Sequence, residues 1–237
     1  MTKEAIILAG GLGTRLRTVV KDVPKPMATI NGEAFLSYVL SFLASNGIEK
    51  VILAVGYKRE VIEKYLQDPA MRYGLEICYS IEQELLGTGG AIFKAFEKVE
   101  GNDAFVVNGD TYFDCDLREL WRFAVESSAD LAFALKQVEQ SNRYGTVGLT
   151  QSGQITSFSE ARTDLDSRHL INGGIYYLKK ALVGSLTMPK KFSIEQDLFT
   201  KMPKQITAFG KVFDGLFIDI GIPEDYELAQ TLLRKPI

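Results

Sequence analysis

The stretch Ala5–Leu16 reads AIILAGGLGTRL, and PKPM follows at Pro24–Met27. A short apolar run closed by glycines has the pattern of a buried strand delivering the chain into a tight loop. Gly10, Gly11 and Gly13 let bare backbone approach a ligand, with N–H groups aimed at phosphate oxygens. The spacing is not the dinucleotide fingerprint, because the third glycine would fall where Leu16 stands. Nor is it a P-loop, since no Gly-Lys-Ser/Thr follows. Arg15 adds a planar fork suited to phosphate. Lys25 adds a compact charge, and Pro24 and Pro26 restrict the backbone on both sides of it. The glycine loop alone would pass for a tight turn. With PKPM beside it, it points to phosphate.

Outward from this stretch, buried strands and amphipathic helices alternate. Lys50–Val55 and Ala104–Val107 read as strands, as does Leu75–Ile81. Phe35, Leu36, Val39, Leu40 and Leu43 follow helical spacing, with Gly47 as the stop. Further helices are expected over Arg59–Leu66, Thr88–Val99 and Leu117–Val125, and a strand over Asp130–Val138. This rhythm implies a parallel sheet wrapped by helices, with ligands beyond the carboxyl ends of the strands. Gly10–Arg15 and Asn108-Gly109-Asp110 both sit at such ends. After Val138 the pattern becomes mixed: strands at Tyr144–Leu149, Ile155–Phe158, Ile171–Leu178, Ile206–Phe213 and Leu216–Ile220, and a helix over Ile194–Met202. Pro223 opens a last helix, with Arg234 and Lys235 in its final turn. The expected fold class is α/β: a Rossmann-like, mostly parallel twisted sheet flanked by helices, with a smaller mixed β subregion that binds substrate. We read residues 1–237 as one domain, with a first half at about 1–138 and a second half at about 139–237.

Composition sets the outer bounds. The chain has 237 residues, 46% hydrophobic and 24% charged, enough to bury a large core. A formal charge of −3 argues against a nucleic-acid binder. Cys78 and Cys115 have no metal-ligand spacing and read as reduced thiols. The N-terminal apolar run is too short for a signal peptide or a membrane span, so we expect a cytoplasmic protein without a membrane partner.

LAGGLGTRL (Leu8–Leu16), PKPM, LGTGGA (Leu86–Ala91), NGD (108–110), YGTV (Tyr144–Val147), FSEA (158–161), NGGIY (Asn172–Tyr176) and DIGIPEDY (Asp219–Tyr226) occur in this order over nearly the whole chain. Together they resemble the sugar-1-phosphate nucleotidyltransferases, or nucleotide-sugar pyrophosphorylases. The nearest branch in likeness is the bacterial D-glycero-α-D-manno-heptose 1-phosphate guanylyltransferases, through LINGGIY, RYGTV and TVVKDVPKPM. The resemblance implies the nucleotide-diphospho-sugar transferase fold, with the nucleotide bound by the half at about 1–138 and the sugar phosphate by the half at about 139–237. It also implies attack of a sugar 1-phosphate oxygen on the α-phosphorus of a nucleoside triphosphate, with GTP favoured, yielding a GDP-sugar and pyrophosphate for surface glycan synthesis. A phosphate monoester, with a second pKa of about 6, is already an anion, so no general base is needed. His169, the only histidine, is read as a non-catalytic loop or strand-edge residue.

The site residues implied by the resemblance divide by task. Arg15, Lys25, Asp110 and Asp219 are the catalytic set, and Asp110 and Asp219 would bind Mg²⁺ as the cofactor. Nucleotide binding would fall to Leu8, Ala9, Gly10, Gly11, Gly13, Thr14, Glu82, Gly87, Thr88 and Asn108, with Glu84 as a second candidate for the base. Sugar binding would fall to Gly145, Glu160, Asn172 and Gly173. The family usually carries lysine after that glutamate, and here the position is Ala161; Arg162 and Lys179 are the candidate replacements. Asp114 and Asp116 read as loop and N-cap residues. Other nucleotide-sugar pyrophosphorylases with mannosyl, thymidylyl or uridylyl specificity fit the same motifs. A non-catalytic nucleotide-sugar-binding subunit fits less well, because the catalytic set is present. Homo-oligomerisation is compatible with the sequence.

Overall fold

The computed structural model describes residues 1–11, 23–68, 73–139, 144–159 and 169–236. The elements run β1 (Glu4–Leu8), β2 (Thr29–Ile30), β3 (Glu33–Ala34), α1 (Phe35–Ser45), β4 (Lys50–Val55), α2 (Arg59–Tyr65), β5 (Glu76–Ile81), α3 (Gly87–Phe96), β6 (Asp103–Asn108), β7 (Thr111–Phe113), α4 (Leu117–Glu126) and β8 (Leu131–Val138). They continue with β9 (Thr146–Leu149), β10 (Ile155–Ser159), β11 (His169–Lys179), α5 (Lys180–Ser185), a π-type helix over Ile194–Phe199, β12 (Ala208–Phe213), β13 (Phe217–Asp219) and α6 (Pro223–Leu232).

One sheet runs through both halves of the chain. Strands β6, β1, β4 and β5 pair in parallel, and β11 then joins β6 antiparallel. Beyond it, β8 pairs antiparallel with β11, and β12 parallel with β8. The nearly continuous apolar β1, β4 and β6 are buried on both faces, as a parallel sheet covered by helices requires. Successive residues serve opposite layers: Ile7, Leu53 and Val107 pack with Phe35, Leu36 and Leu40 of α1. Ile6, Ile52 and Val106 pack with Ile92 and Phe96 of α3 and with Phe199. Each such buried side chain contributes roughly 1.5–3 kcal/mol. Tyr176 and Tyr177 belong to this core, as their spacing suggests.

The register of β11 opens the functional cleft. β9 meets β11 at Ile171, and β6 meets it only from Ile175 onward. Between them lies an irregularity at Gly173 and Gly174, where Gly174 has φ +73°. The strands on either side diverge there.

Local signals explain the ends. Asp116 caps α4 by accepting from Arg118 N at 2.8 Å and Glu119 N at 3.1 Å. Gly47 follows α1 at φ +80°. The hairpin β2–β3 turns on Asn31-Gly32, with φ of +50° and +86°, a two-residue hairpin signal just ahead of the helix expected from Phe35. Two further expectations need correction. Arg234 and Lys235 lie beyond the C-cap Leu233 instead of in the last turn of α6, and the helix from Ile194 stops at Phe199. Among the described residues no helix is long and apolar enough to cross a membrane.

Candidate active site

The carboxyl ends of β1 and β6 meet at Leu8 and Asn108. Gly109 N donates to Leu8 O at 3.0 Å, and a Cβ at Gly109 would stand 2.4 Å from that oxygen. Only glycine permits this approach, and it sends Asp110 out over the strand end. β7 then pairs antiparallel with β13, which places Asp219 opposite Thr111, and Ile220 N donates to Asp110 O at 3.0 Å. Asp110 and Asp219, distant in sequence, thus line one cleft of about 330 Å³. Asp219 Oδ1 accepts from Gly221 N at 2.8 Å.

Lys25 enters the same cleft from a single 3₁₀ turn, Lys25–Met27, opened by Pro24. Its Nζ lies 2.6 Å from Asp110 Oδ2, and the lysine side chain is only 10% exposed. Among the described residues lining the cleft, Lys25 is the one cation, set against the carboxylates of Asp110, Asp219 and Glu195. An anionic ligand needs further positive charge to enter. Two carboxylates lining one cleft, Asp110 from the turn after β6 and Asp219 from β13, form a donor set suited to Mg²⁺, which usually takes one or two carboxylates and fills its sphere with phosphate oxygens and water.

Of the residues expected at the nucleotide, Leu8, Gly11, Thr88 and Asn108 line the cleft. Ala9 is buried, its N–H donating to Ala54 O at 2.9 Å. A Cβ on Gly10 would stand 2.5 Å from Glu82 Oε1, and Glu82 Oε2 accepts from Leu86 N at 3.1 Å. Glu82 therefore braces the glycine loop against the segment leading into α3, and burial pushes its pKa up. Gly87, at φ +72°, lies against Phe192, whose carbonyl oxygen a Cβ would meet at 2.4 Å. Gly87 and Gly89 thus serve packing against Phe192, and Gly90 serves packing against the Lys190 carbonyl. Thr88 Oγ1 accepts from Ile194 N at 2.9 Å. Glu84 is exposed and paired with Lys190. Gly13, Thr14, Arg15, Glu160, Ala161 and Arg162 lie outside the described residues.

On the sugar side, Gly145 and Asn172 line the cleft, joined by Asn172 N donating to Gly145 O at 3.2 Å. Gly173 does not line it. A Cβ there would meet the Phe113 ring at 2.4 Å and Ala134 O at 2.7 Å, so this glycine serves packing, and Gly174 is the one at the cleft. Lys179 cannot replace the missing lysine: it sits at the far end of β11, paired with Asp130 at 3.3 Å. Glu195 was not expected from the sequence. It lines the cleft from the π-type helix, whose start is fixed by Ser193 Oγ accepting from Gln196 N at 3.2 Å and Asp197 Oδ2 accepting from Ser193 N at 2.8 Å. That Ser–Asp cap was the available signal.

The nucleotidyl transferase family model matches residues 4–235. The chain belongs to that family. Over 235 residues it is 47% identical to the D-glycero-alpha-D-manno-heptose 1-phosphate guanylyltransferase of Aneurinibacillus thermoaerophilus, covering 99% of this chain and 100% of the relative. The protein of the same description from Campylobacter jejuni subsp. jejuni serotype O:2 is 46% identical over 94% of this chain and 96% of its own. Crystal structures of HddC from Yersinia pseudotuberculosis, alone and complexed with GMP-PN, match with TM-scores of 0.86 and 0.85 at 34% identity, covering 97% of this chain and 99% of that one. The mostly parallel mixed sheet flanked by helices is the fold of this family.

Proposed function

We propose that the chain transfers GMP from GTP to D-glycero-α-D-manno-heptose 1-phosphate. A phosphate oxygen of the sugar attacks the α-phosphorus, a new P–O bond forms, the bond to the β-phosphate oxygen breaks, and pyrophosphate leaves. The choice of base and sugar is supported by the descriptions of the full-length relatives. The mechanism is supported by one geometric observation: Asp110, Asp219 and Lys25 converge on one cleft at the ligand edge of the sheet.

In this reading, Lys25 holds the α-phosphate or the sugar phosphate, and Asp110 aims it by their 2.6 Å ion pair. Gly11 and its loop neighbours offer backbone N–H groups to the triphosphate. Arg15 receives the departing pyrophosphate, and Glu160 the sugar. Asp110 and Asp219 would hold Mg²⁺, which when bound neutralises the charge of two mutually repelling phosphates. Catalysis is positioning plus electrostatics, with no general base required. We place the activity in the cytoplasm, where it would supply GDP-heptose to a surface glycan. The presence of the three residues in one cleft favours catalysis over a purely binding role.

The test is a matrix of four nucleoside triphosphates against heptose, mannose and glucose 1-phosphates with Mg²⁺, read by pyrophosphate release and product mass. GDP-heptose as the dominant product is expected. A different dominant nucleotide or sugar would overturn the specificity, and GTP binding without pyrophosphate release would overturn the activity.

A further inference from the structure

We infer that Phe192, a buried residue behind the cleft, is a positioning residue for the transfer: it sets the spacing between the two cleft walls that meet at Thr88 and Ile194. The inference rests on the nucleotidyl-transfer reading above.

Thr88 belongs to α3 and Ile194 to the π-type helix, and both line the cleft. They are 106 positions apart in the chain, and three hydrogen bonds join their segments. Phe192 N donates to Leu86 O at 2.9 Å, Gly89 N donates to Phe192 O at 3.0 Å, and Ile194 N donates to Thr88 Oγ1 at 2.9 Å. Phe192 makes two of the three through its main chain, which any residue except proline could supply. Its ring decides how closely the segments approach. The residue is 4% exposed, and the ring stands edge-on to Phe93 with centroids 5.0 Å apart. A Cβ on Gly89 would fall 2.1, 2.4 and 2.5 Å from three ring atoms. The ring therefore lies directly on the α3 main chain, one residue past Thr88. A buried ring packed this way cannot swing aside without moving its neighbours.

The joint continues in both directions. Leu86 N donates to Glu82 Oε2 at 3.1 Å, and Glu82 Oε1 lies against Gly10. On the other side, Ser193 N donates to Asp197 Oδ2 at 2.8 Å and fixes the start of the π-type helix. Phe192 thus couples the glycine loop and the start of α3 to the wall that carries Ile194 and Glu195. Two substrates held in one cleft must meet in line. A misplacement of about 1 Å costs on the order of 100-fold in rate, even when the altered residue is far from the reacting atoms. Each wall keeps its own side chains when the joint is altered, so the cost falls on turnover and not on affinity for either substrate.

The test uses the full chain with Phe192→Leu, Phe192→Ala, Gly89→Ala and the double variant Gly89→Ala/Phe192→Ala. Steady-state pyrophosphate release is measured with GTP and D-glycero-α-D-manno-heptose 1-phosphate, and the melting temperature of each variant is recorded. Phe192→Leu, which keeps most of the side-chain volume, is expected to lower kcat about tenfold, with both KM values within about threefold of wild type. Gly89→Ala is expected to lower kcat on the order of 100-fold, because its methyl group displaces the ring. In the double variant the ring is gone, and the methyl should cost less than about threefold relative to Phe192→Ala alone. A residue that only packs would lower the melting temperature and leave the kcat of the folded enzyme unchanged. That result in Phe192→Leu, or an equal cost of Gly89→Ala with and without the ring, would overturn the inference. Phe192→Leu decides alone where Phe192→Ala does not fold. If wild type turns over a different nucleotide or sugar, the substrate assignment falls, and the same kinetics on that pair decide the role of Phe192. No wild-type turnover with any pair would remove the transfer reading and this inference with it.

Discussion

The Lys25 ammonium and the Asp110 carboxylate meet at 2.6 Å across a sequence separation of 85 residues, at the carboxyl edge of the sheet. The contact joins a proline-bounded turn to the end of β6, and a shift in either element would break it. Lys25→Ala is expected to lower kcat/KM on the order of 100-fold. In a double-mutant cycle with Asp110→Asn the losses should fall short of additive, since the two side chains act as a unit. Steady-state kinetics on the three variants measures the coupling; strict additivity would show that the two act independently.

Asp110 and Asp219 are proposed to share one cation. Chelation should abolish pyrophosphate release, and added Mg²⁺ should restore it. Asp110→Asn and Asp219→Asn should each raise the Mg²⁺ concentration needed for half-maximal rate and lower the maximal rate on the order of 100-fold, with little change in melting temperature. A Mg²⁺ titration that is identical in both variants and wild type would remove the assignment.

Gly173 is predicted to matter for packing. Gly173→Ala would drive a methyl group into the Phe113 ring and Ala134 O. Overpacking of this kind costs about 1–3 kcal/mol. The expected outcome is a lower melting temperature in a thermal scan, with the sugar KM of the folded enzyme unchanged. A raised sugar KM with full stability would return Gly173 to the binding surface.

Glu82 should make stability depend on pH. Burial raises its folded-state pKa above the ordinary 4.5, so the folded chain holds the proton more tightly than the unfolded one. The sign follows: stability is lost as pH rises from about 4.5 through the folded value. Glu82→Gln keeps an acceptor for Leu86 N and removes this loss. Denaturant titrations from pH 4 to 7 should find the variant gaining on wild type as pH rises. A constant difference would mean that burial does not govern this carboxyl. The same variant reports on base recognition: an unchanged GTP KM would confine Glu82 to bracing the glycine loop.

Much of this molecule is local in origin. The run Lys50–Val55 became β4 with the expected bounds, because five consecutive apolar residues fit a strand buried on both faces and Lys50 at its start is ion-paired with Glu4 and Glu100. Asp116 caps α4 because its carboxylate meets free N–H groups within the same turn. Asn108-Gly109-Asp110 was recognisable as a strand end carrying a carboxylate. The short β7 was missed, since three residues have no periodicity of their own and are held as a strand only by pairing with β13.

The sequence by itself determined the alternation of strand and helix, the glycine turn after β1, the proline-bounded Lys25 and the set of motifs that marks the family. Each depends on neighbours along the chain, whose chemistry acts over a few residues. Only the tertiary structure decided which glycines serve the cleft and which serve packing, that Asp110 and Asp219 arrive together through the β7–β13 register, and that Asn172 spends its donors on Tyr176 and Glu195. Those outcomes depend on contacts between segments far apart in sequence. Hydrogen-bonding capacity and the space around a Cβ are set by neighbours in space, which a linear reading does not contain.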